Sequence, residues 1–423
     1  MTPLPRYLLP DTAATAADGG LMVGGCRLTD LASEFGTPLF VYDEQHIRHR
    51  ARAAVSAFGD GNVIYAAKAF LCKAMARLAH EEGLRLDVAS GGEMEVALAA
   101  GVPPSKLVFH GNNKSVSELA VALERGVGRI VVDSFDEIDR IEALVGKGHD
   151  PAPVLLRITP GVEAHTHEFI ATGQEDTKFG FAISSGAADE AVKHVLESGA
   201  FALHGLHAHI GSQVFRIESF AEAGRVIARF AGPYSLPELV LGGGLGVAYV
   251  EGERSPALSE WASAIGQATI DLVGTRIAVE PGRALVASAA ITLYTVGTIK
   301  DLPGVRTYVA VDGGMSDNPR PVLYGSGYET FLPRAVGAER TREIRLVGKH
   351  CESGDLLVRT GLVPPDLKVG DVIATPVTGA YGHSMGSNYN KILRPPVVFV
   401  ADGRARLVVR RETLDDLLAT DIG

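Results

Sequence analysis

The 423-residue chain sets 40 lysines and arginines against 50 aspartates and glutamates, a formal net charge of -10 that argues against non-specific binding to nucleic acid. Its 46% hydrophobic and 21% charged residues are those of an ordinary soluble globular protein, long enough for one large domain and a second. Its three cysteines, Cys26, Cys72 and Cys351, lie too far apart for a disulfide framework or a metal knuckle, which favours a reducing, cytoplasmic setting.

Taken in chain order, the first twenty residues lack the charged and apolar blocks of a signal peptide. The segment "GCRLTDLASEFGTPLFVYD" could open the first domain. From residue 61 to 283, short apolar runs alternate with helical patterns. The runs are "VIYAAK", "RLDVAS", "LVFHG", "RIVVDS", "VLLRIT", "LHGLHAHIG", "LVLGGGLG" and "RIAVEPGR". Between them, stretches such as "CKAMARLAHEEG" and "SVSELAVALERGV" repeat apolar residues at helical spacing, with glycine as a stop. Alternating strand and helix implies parallel strands with right-handed crossovers. Eight such units in roughly 225 residues fit a closed (β/α)8 TIM-type barrel; an open doubly wound sheet is the alternative. After about residue 285, "AAITLYTVGTIKD", "RTYVAVDGG", "REIRLVGKH", "DLLVRTG", "DVIATPV" and "VVFVADGRARLVVRR" read as strands of a β-sandwich or β-barrel domain. The expected division is a barrel over 37–285, with 1–36 and 286–423 forming the β domain. The apolar stretch "ALVASAAITLYTVGTI" is interrupted by hydroxyls and a glycine and is too short to span a bilayer.

Catalytic groups of such barrels gather at the C-terminal ends of the strands. Here those ends carry Lys68, Asp87 and Ser90, His110, Asp133, Arg157 and Thr159, then His207, His209 and Ser212, Gly242 to Gly246, and finally Glu280 and Arg283. Singly, each has a plain explanation. A lysine after an apolar run is usually the first exposed residue, and a glycine cluster is usually a turn. His207 and His209 share one strand face and could ligate a metal, with no carboxylate or third histidine evidently beside them. The combination is more specific. Gly244, Gly246 and Arg283 could hold a phosphate. A lysine in a partly desolvated pocket has its pKa lowered and can form a Schiff base. A carboxylate opposite could pair with a protonated pyridine nitrogen. Together these describe a pyridoxal-phosphate site, with no metal expected.

The ordered segments "YAAKA", "DVASGGE", "FHGNNKS", "HTHEFIATGQEDTKFGF", "HAHIGSQ", "LGGGLGV", "EPGR", "VDGGMSDNPRPVLYG", "CESGD" and "GAYGHSMGSNYN" resemble those of the diaminopimelate decarboxylases, within the alanine-racemase-fold pyridoxal-phosphate decarboxylases. The resemblance implies a barrel plus a C-terminal β domain, in a cytoplasmic homodimer with shared active sites. It implies the conversion of meso-2,6-diaminopimelate to L-lysine and CO2, with pyridoxal 5'-phosphate as cofactor. Lys68 resembles the Schiff-base lysine and His209 the histidine stacked on the cofactor ring. Ser212, Gly244, Arg283 and Tyr381 resemble the phosphate-site residues, with Pro281 and Gly282 in the same motif. Glu280 resembles the carboxylate at the pyridine nitrogen, and favours decarboxylation over the racemisation expected with an arginine there. Cys351 resembles the proton donor supplied by the partner subunit, a thiol at neutral pH. Glu352 resembles the reader of the distal amine. Arg283, Arg320 and Tyr324, with Tyr381, resemble the groups that bind substrate. Arg320 selects for a distal carboxylate; taken alone it could be a surface arginine. His383 and Gly386 depart from the pattern, which puts only local packing in doubt. Other readings are a related decarboxylase acting on carboxynorspermidine, D-ornithine or lysine, a non-enzymatic pyridoxal-phosphate carrier, and a metal-dependent barrel hydrolase using His207 and His209.

Overall fold

The computed structural model describes residues 3–162 and 177–423, which form two compact units. The part of "HTHEFIATGQEDTKFGF" at 165–176 lies outside the described residues.

One unit comprises Ala51–Gly246 and Ser255–Ala284. Its parallel strands, among the described residues, are β1 (Ile64–Ala66), β2 (Arg85–Val88), β3 (Leu107–Phe109), β4 (Arg129–Val132), β5 (Ala152–Thr159), β6 (Phe201–His207), β7 (Glu238–Val240) and β8 (Arg276–Ala278), paired in that order. A short strand, Phe181–Ala182, pairs beside β5. A parallel bridge between Val63 and Val279 joins the first strand to the last: the Ile64 N–H donates to the Val279 carbonyl at 2.9 Å, and the Val279 N–H donates to the Asn62 carbonyl at 2.9 Å. The sheet is therefore a ring, and the expected barrel is the observed one. Ile64, Val108, Val131, Leu155, Val240 and Ala278 form one buried apolar cluster from six of its strands. At the opposite, N-terminal ends of the strands, buried Glu238 accepts from Arg85 (2.7 Å), Arg129 (2.9 Å) and Arg276 (2.7 Å). This array ties four strand starts together at the face associated with stability rather than catalysis.

The crossovers explain one residue of the polar ring. Ser90 caps the helix Gly91–Ala99, its hydroxyl accepting from the Glu93 N–H. Ser115 and Ser134 do the same for Val116–Arg125 and Phe135–Val145. Such caps satisfy N–H groups that a helix start leaves without partners.

The other unit comprises Met1–Arg50, Val247–Arg254 and Leu285–Gly423. Its eight-stranded sheet runs Leu356–Val363, Arg342–Val347, Arg306–Val311, Ala290–Leu302, Leu39–Asp43, Val397–Ala401 and Arg404–Val409, with Val372–Pro376 also on Ala290–Leu302. Leu39–Asp43 pairs antiparallel with Ala290–Leu302 and parallel with Val397–Ala401. "LFVYD" is thus an interior strand of this sheet, buried at all five positions, and does not open the barrel. The expected barrel limit at residue 37 is corrected accordingly, and Val247–Arg254, placed in the barrel from sequence, also belongs to this unit. The local pattern could not tell the two apart, because a strand buried on both faces reads as an uninterrupted apolar run in either setting. No helix among the described residues is long and apolar enough to cross a membrane.

Candidate functional site

The strand ends of the barrel unit converge on Glu280, two residues past β8 and 5% exposed. His110 follows β3 and His207 ends β6. The Nε2 of His110 lies 2.9 Å from Glu280 Oε1, and the Nε2 of His207 lies 2.9 Å from Oε2. Both are hydrogen-bond lengths. The third histidine and the carboxylate that the sequence did not place beside His207 are therefore His110 and Glu280, while His209 stands apart from this group.

The charges follow from these contacts. Burial pushes the Glu280 carboxyl up, but His110 and His207 together hold it well below the usual carboxylate range. Burial drives His207 down to about 4, against the pull of Glu280. His110 is also opposed by burial, yet Asp87 and Glu280 raise it above the ordinary histidine value. Asp87, 3.8 Å from the His110 Nε2, is pushed up to about 6 by burial, with His110 and Lys68 pulling against and Glu280 adding to the rise.

Lys68 sits in a single 3-10 turn, Ala67–Ala69, directly after β1. Ala67 and Ala69 are buried and Lys68 is exposed. The turn carries the side chain out of the apolar strand. Its charge still acts on Asp87, Glu93 and His209. His209 is held well below its ordinary value by burial first and by Lys68 second, so its ring is neutral.

The glycine loop after β7 is shaped by contact. The Gly243 N–H donates to His209 Nδ1 at 3.1 Å. A Cβ on Gly243 would lie 2.0 Å from the Glu280 carbonyl oxygen, and one on Gly244, whose φ is +106°, 2.0 Å from that of Gly211. The loop thus exposes backbone where any side chain would collide. Gly246, expected to offer its N–H to an anion, donates it to the Val214 carbonyl at 2.9 Å, which corrects that role. Arg283 is buried and donates to the Ser212 hydroxyl at 2.9 Å. In the same motif the Pro281 carbonyl accepts from the Ala66 N–H at 3.3 Å, and a Cβ on Gly282 would meet Ala66 at 2.9 Å. "EPGR" and "YAAK" are therefore packed together, bringing Lys68, Glu280 and Arg283 to one end of the barrel.

A second layer supports them. Asp133 pairs with Arg157 at 3.4 Å and accepts from the Gly180 N–H. The Arg157 guanidinium lies 4.1 Å from the Phe179 ring centroid. Lys114, from "FHGNNKS", is fully buried and donates to Glu137 (2.6 Å) and to the carbonyls of Gly111 and Val131 (2.7 Å each).

In the β unit, Arg320 opens the short helix Arg320–Tyr324, which Gly325 ends at φ +62°. The surface-arginine alternative is corrected: Arg320 is 3% exposed. It donates to the Tyr328 hydroxyl, and its guanidinium lies 4.0 Å from the Tyr249 ring centroid. Its Nε has no hydrogen-bond partner. Burial opposes its charge, but Tyr249 and Tyr328 keep its pKa raised. Tyr324, one helical turn on, is half-buried. Tyr381 is half-buried at φ +58°, after Val377 at φ +60°. Two non-glycine residues there, one β-branched, mark a strained segment.

Cys351 is exposed, and its N–H donates to Asn390 Oδ1 at 3.0 Å. Glu352, also exposed, accepts from the Tyr389 hydroxyl at 3.3 Å. Asp355 holds this loop, accepting from the Met315 N–H (2.7 Å) and the His350 N–H (2.8 Å). His350 Nε2 and the Ser316 hydroxyl lie 2.8 Å apart. "CESGD" and "VDGGMSD" are thus one hydrogen-bonded assembly. His383 is packed edge-on against Phe40 with ring centroids 5.6 Å apart, and a Cβ on Gly386 would meet the Ser316 carbonyl at 3.1 Å. Both departures from the family pattern are packing positions.

Sequence reasoning gave no role to Tyr249 and Tyr328, which carried no motif, nor to Asp355 and Asn390, which stood unremarked inside "CESGD" and "GAYGHSMGSNYN". His110 stood in the polar ring without an assigned role; its position directly after β3 was the available signal.

The pyridoxal-dependent decarboxylase model for the pyridoxal binding domain matches residues 44–287. A protein of Mycobacterium tuberculosis named diaminopimelate decarboxylase is 49% identical over 96% of this chain and 95% of its own length. One of Bacillus subtilis with the same name is 46% identical over 98% of each chain. The crystal structure of diaminopimelate decarboxylase from M. jannaschii in co-complex with L-lysine superposes with a TM-score of 0.91, at 34% identity over 98% of each chain.

Proposed function

The chain belongs to the pyridoxal-dependent decarboxylases, and from that premise we propose that it removes CO2 from meso-2,6-diaminopimelate to give L-lysine, with pyridoxal 5'-phosphate as cofactor. The observation that carries the substrate assignment is the near-half identity, over almost the whole chain, to proteins named for that reaction. Buried Arg320, charged and with an unsatisfied Nε, supports it, because diaminopimelate, unlike an amino acid with a single carboxylate such as ornithine, carries a second carboxylate at its far end.

The residues at the barrel mouth fit the cofactor. Lys68 offers an exposed amine, and Glu280 is an ionised carboxylate able to accept from a protonated ring nitrogen. Arg283 with Ser212 and the backbone of Gly244, where a Cβ would collide, suit a phosphate. Neutral His209 would stack on the ring, and Tyr381 is carried to the phosphate group by the family resemblance. When bound, pyridoxal phosphate supplies a covalent anchor for the substrate amine and a ring that takes up the electron pair left by departing CO2. The chain's own residues do the rest. Glu280 would keep a proton on the ring nitrogen. Arg283, Arg320, Tyr324 and Tyr381 bind and orient the substrate, and Glu352 reads the distal ammonium. The Cys351 thiol delivers a proton to the carbon that lost CO2. The same reading makes the protein a cytoplasmic homodimer with shared active sites, acting on an amino acid and not on nucleic acid or membrane.

The test is the visible spectrum of the purified protein, borohydride reduction with peptide mapping, and CO2 release from meso-diaminopimelate, carboxynorspermidine, D-ornithine and L-lysine. The expected result is a coloured protein with its adduct on Lys68 and a preference for meso-diaminopimelate. A colourless protein without that adduct, or a preference for another of these substrates, overturns the proposal.

A further inference from the structure

We infer that His110 and His207 are positioning residues, which together hold the Glu280 carboxylate ionised and in one plane for the ring nitrogen of the cofactor. The inference rests on the reading of Glu280 given above. Three strands from different parts of the ring bring these groups together, since His110 follows β3, His207 ends β6 and Glu280 follows β8. An ionised carboxylate only accepts hydrogen bonds, so both Nε2 atoms, each 2.9 Å from a different oxygen, carry the proton. His207 Nδ1 is buried and has no hydrogen-bond partner. A second proton there would be an unpaired buried donor, so His207 is neutral with its hydrogen on Nε2. His110 faces Glu280 at 2.9 Å and Asp87 at 3.8 Å, two carboxyl groups that suit an imidazolium.

One donor would leave a carboxylate free to twist. A donor on each oxygen fixes the plane, and each oxygen keeps a second lone pair for a further donor. The two rings meet edge to face, 4.8 Å between centroids and 73° between planes, so neither reorients without displacing the other. The carboxylate assigned to the ring nitrogen is thus held by two groups that the sequence reading left without a role in that chemistry.

The experiment compares holoenzyme variants His110→Leu, His110→Gln, His207→Leu and His207→Gln with Glu280→Gln and the parent. The readouts are the visible absorption band, cofactor loss on dialysis, and kcat and KM. Leucine removes the donor; glutamine keeps an N–H that reaches Glu280. The leucine variants are expected to move the band in the direction of Glu280→Gln, to hold cofactor about tenfold less tightly, and to lower kcat more than they raise KM. The glutamine variants should recover most of each loss. Leucine variants with the parental band, affinity and kcat overturn the inference. Should leucine prevent folding, His→Asn, too short to reach, replaces it, and equal behaviour of Asn and Gln variants overturns the inference equally. A parental band and affinity in Glu280→Gln would instead break the reading of Glu280 itself and bring both down, and that variant alone identifies which link failed.

Discussion

The Arg320 guanidinium lies 4.0 Å from the centroid of the Tyr249 ring, buried, and donates to the Tyr328 hydroxyl. A buried guanidinium normally has a carboxylate beside it. Among the described residues, none is within ion-pair distance of Arg320. Two tyrosines hold the charge in place and leave it in search of an anion.

Replacing Arg320 by alanine should raise KM for meso-diaminopimelate about 100-fold, the loss of a charge-assisted carboxylate contact, and change KM for D-ornithine, which has no distal carboxylate, by much less. Lysine at this position should rescue little, since it cannot reproduce the planar fork stacked on Tyr249. Steady-state kinetics with both substrates check this; equal changes would remove Arg320 from substrate recognition.

Cys351→Ala should lower kcat for lysine formation or divert the product to transamination, while the cofactor absorbance stays intact. Its thiol is exposed and its backbone is held by Asn390, so the substitution leaves the loop in place. Product analysis by mass spectrometry decides; unaltered turnover and product would exclude the thiol as proton donor.

Gly243→Ala places a methyl group 2.0 Å from the Glu280 carbonyl oxygen. Backbone on both sides cannot yield as a flexible side chain would. Stability should fall by about 1–3 kcal/mol or more, with weaker retention of pyridoxal phosphate. Urea unfolding and dialysis measure the two effects, and a fully stable, cofactor-loaded variant would contradict the close packing of this loop.

The buried Lys114–Glu137 pair is predicted to be structural. Lys114→Met leaves a carboxylate buried without its cation and should cost about 3–5 kcal/mol. The double variant Lys114→Met with Glu137→Leu should recover much of that loss. A thermal-unfolding double-mutant cycle reads the coupling; additive losses would mean the pair does not act as a unit.

His383 supplies a pH dependence. Burial, then the charge of Arg394, lowers its pKa to about 3 from the ordinary histidine value of 6.5. Between those values the unfolded chain binds a proton that the folded chain does not, so stability falls as the pH drops from about 6.5 towards 3. His383→Gln, which cannot titrate, should lose less stability over that window. Urea midpoints at pH 7 and pH 4 test the sign. His207 titrates in the same direction, with a value of about 4, so the slope should lessen rather than vanish.

Much of the site was legible because its residues stand at predictable places on a repeating pattern. Lys68, His110, His207, Glu280 and Arg283 each follow or end a strand that the apolar runs marked. What the pattern withheld was contact. His207 and His209 read as sharing one strand face, yet the strand ends at His207, and of the two it is His207 that hydrogen-bonds Glu280. Gly244 and Gly246 look equivalent in "GGGLG", yet the N–H of Gly246 is taken by Val214. Arg320 among prolines could have been a surface residue; Tyr249, far upstream, is what covers it.

The sequence by itself determined the eight strand-and-helix units, the β-rich remainder and the types of residue at each strand end. Those follow from side-chain periodicity, which is local and needs no knowledge of distant partners. Only the tertiary structure decided that Leu39–Asp43 joins the β sheet, that Lys68 turns outward from its buried strand, and that Glu280 is clasped by imidazoles 170 and 73 residues away in the chain. Those facts depend on closure of the ring and on which buried polar groups must satisfy one another, and no local pattern encodes either.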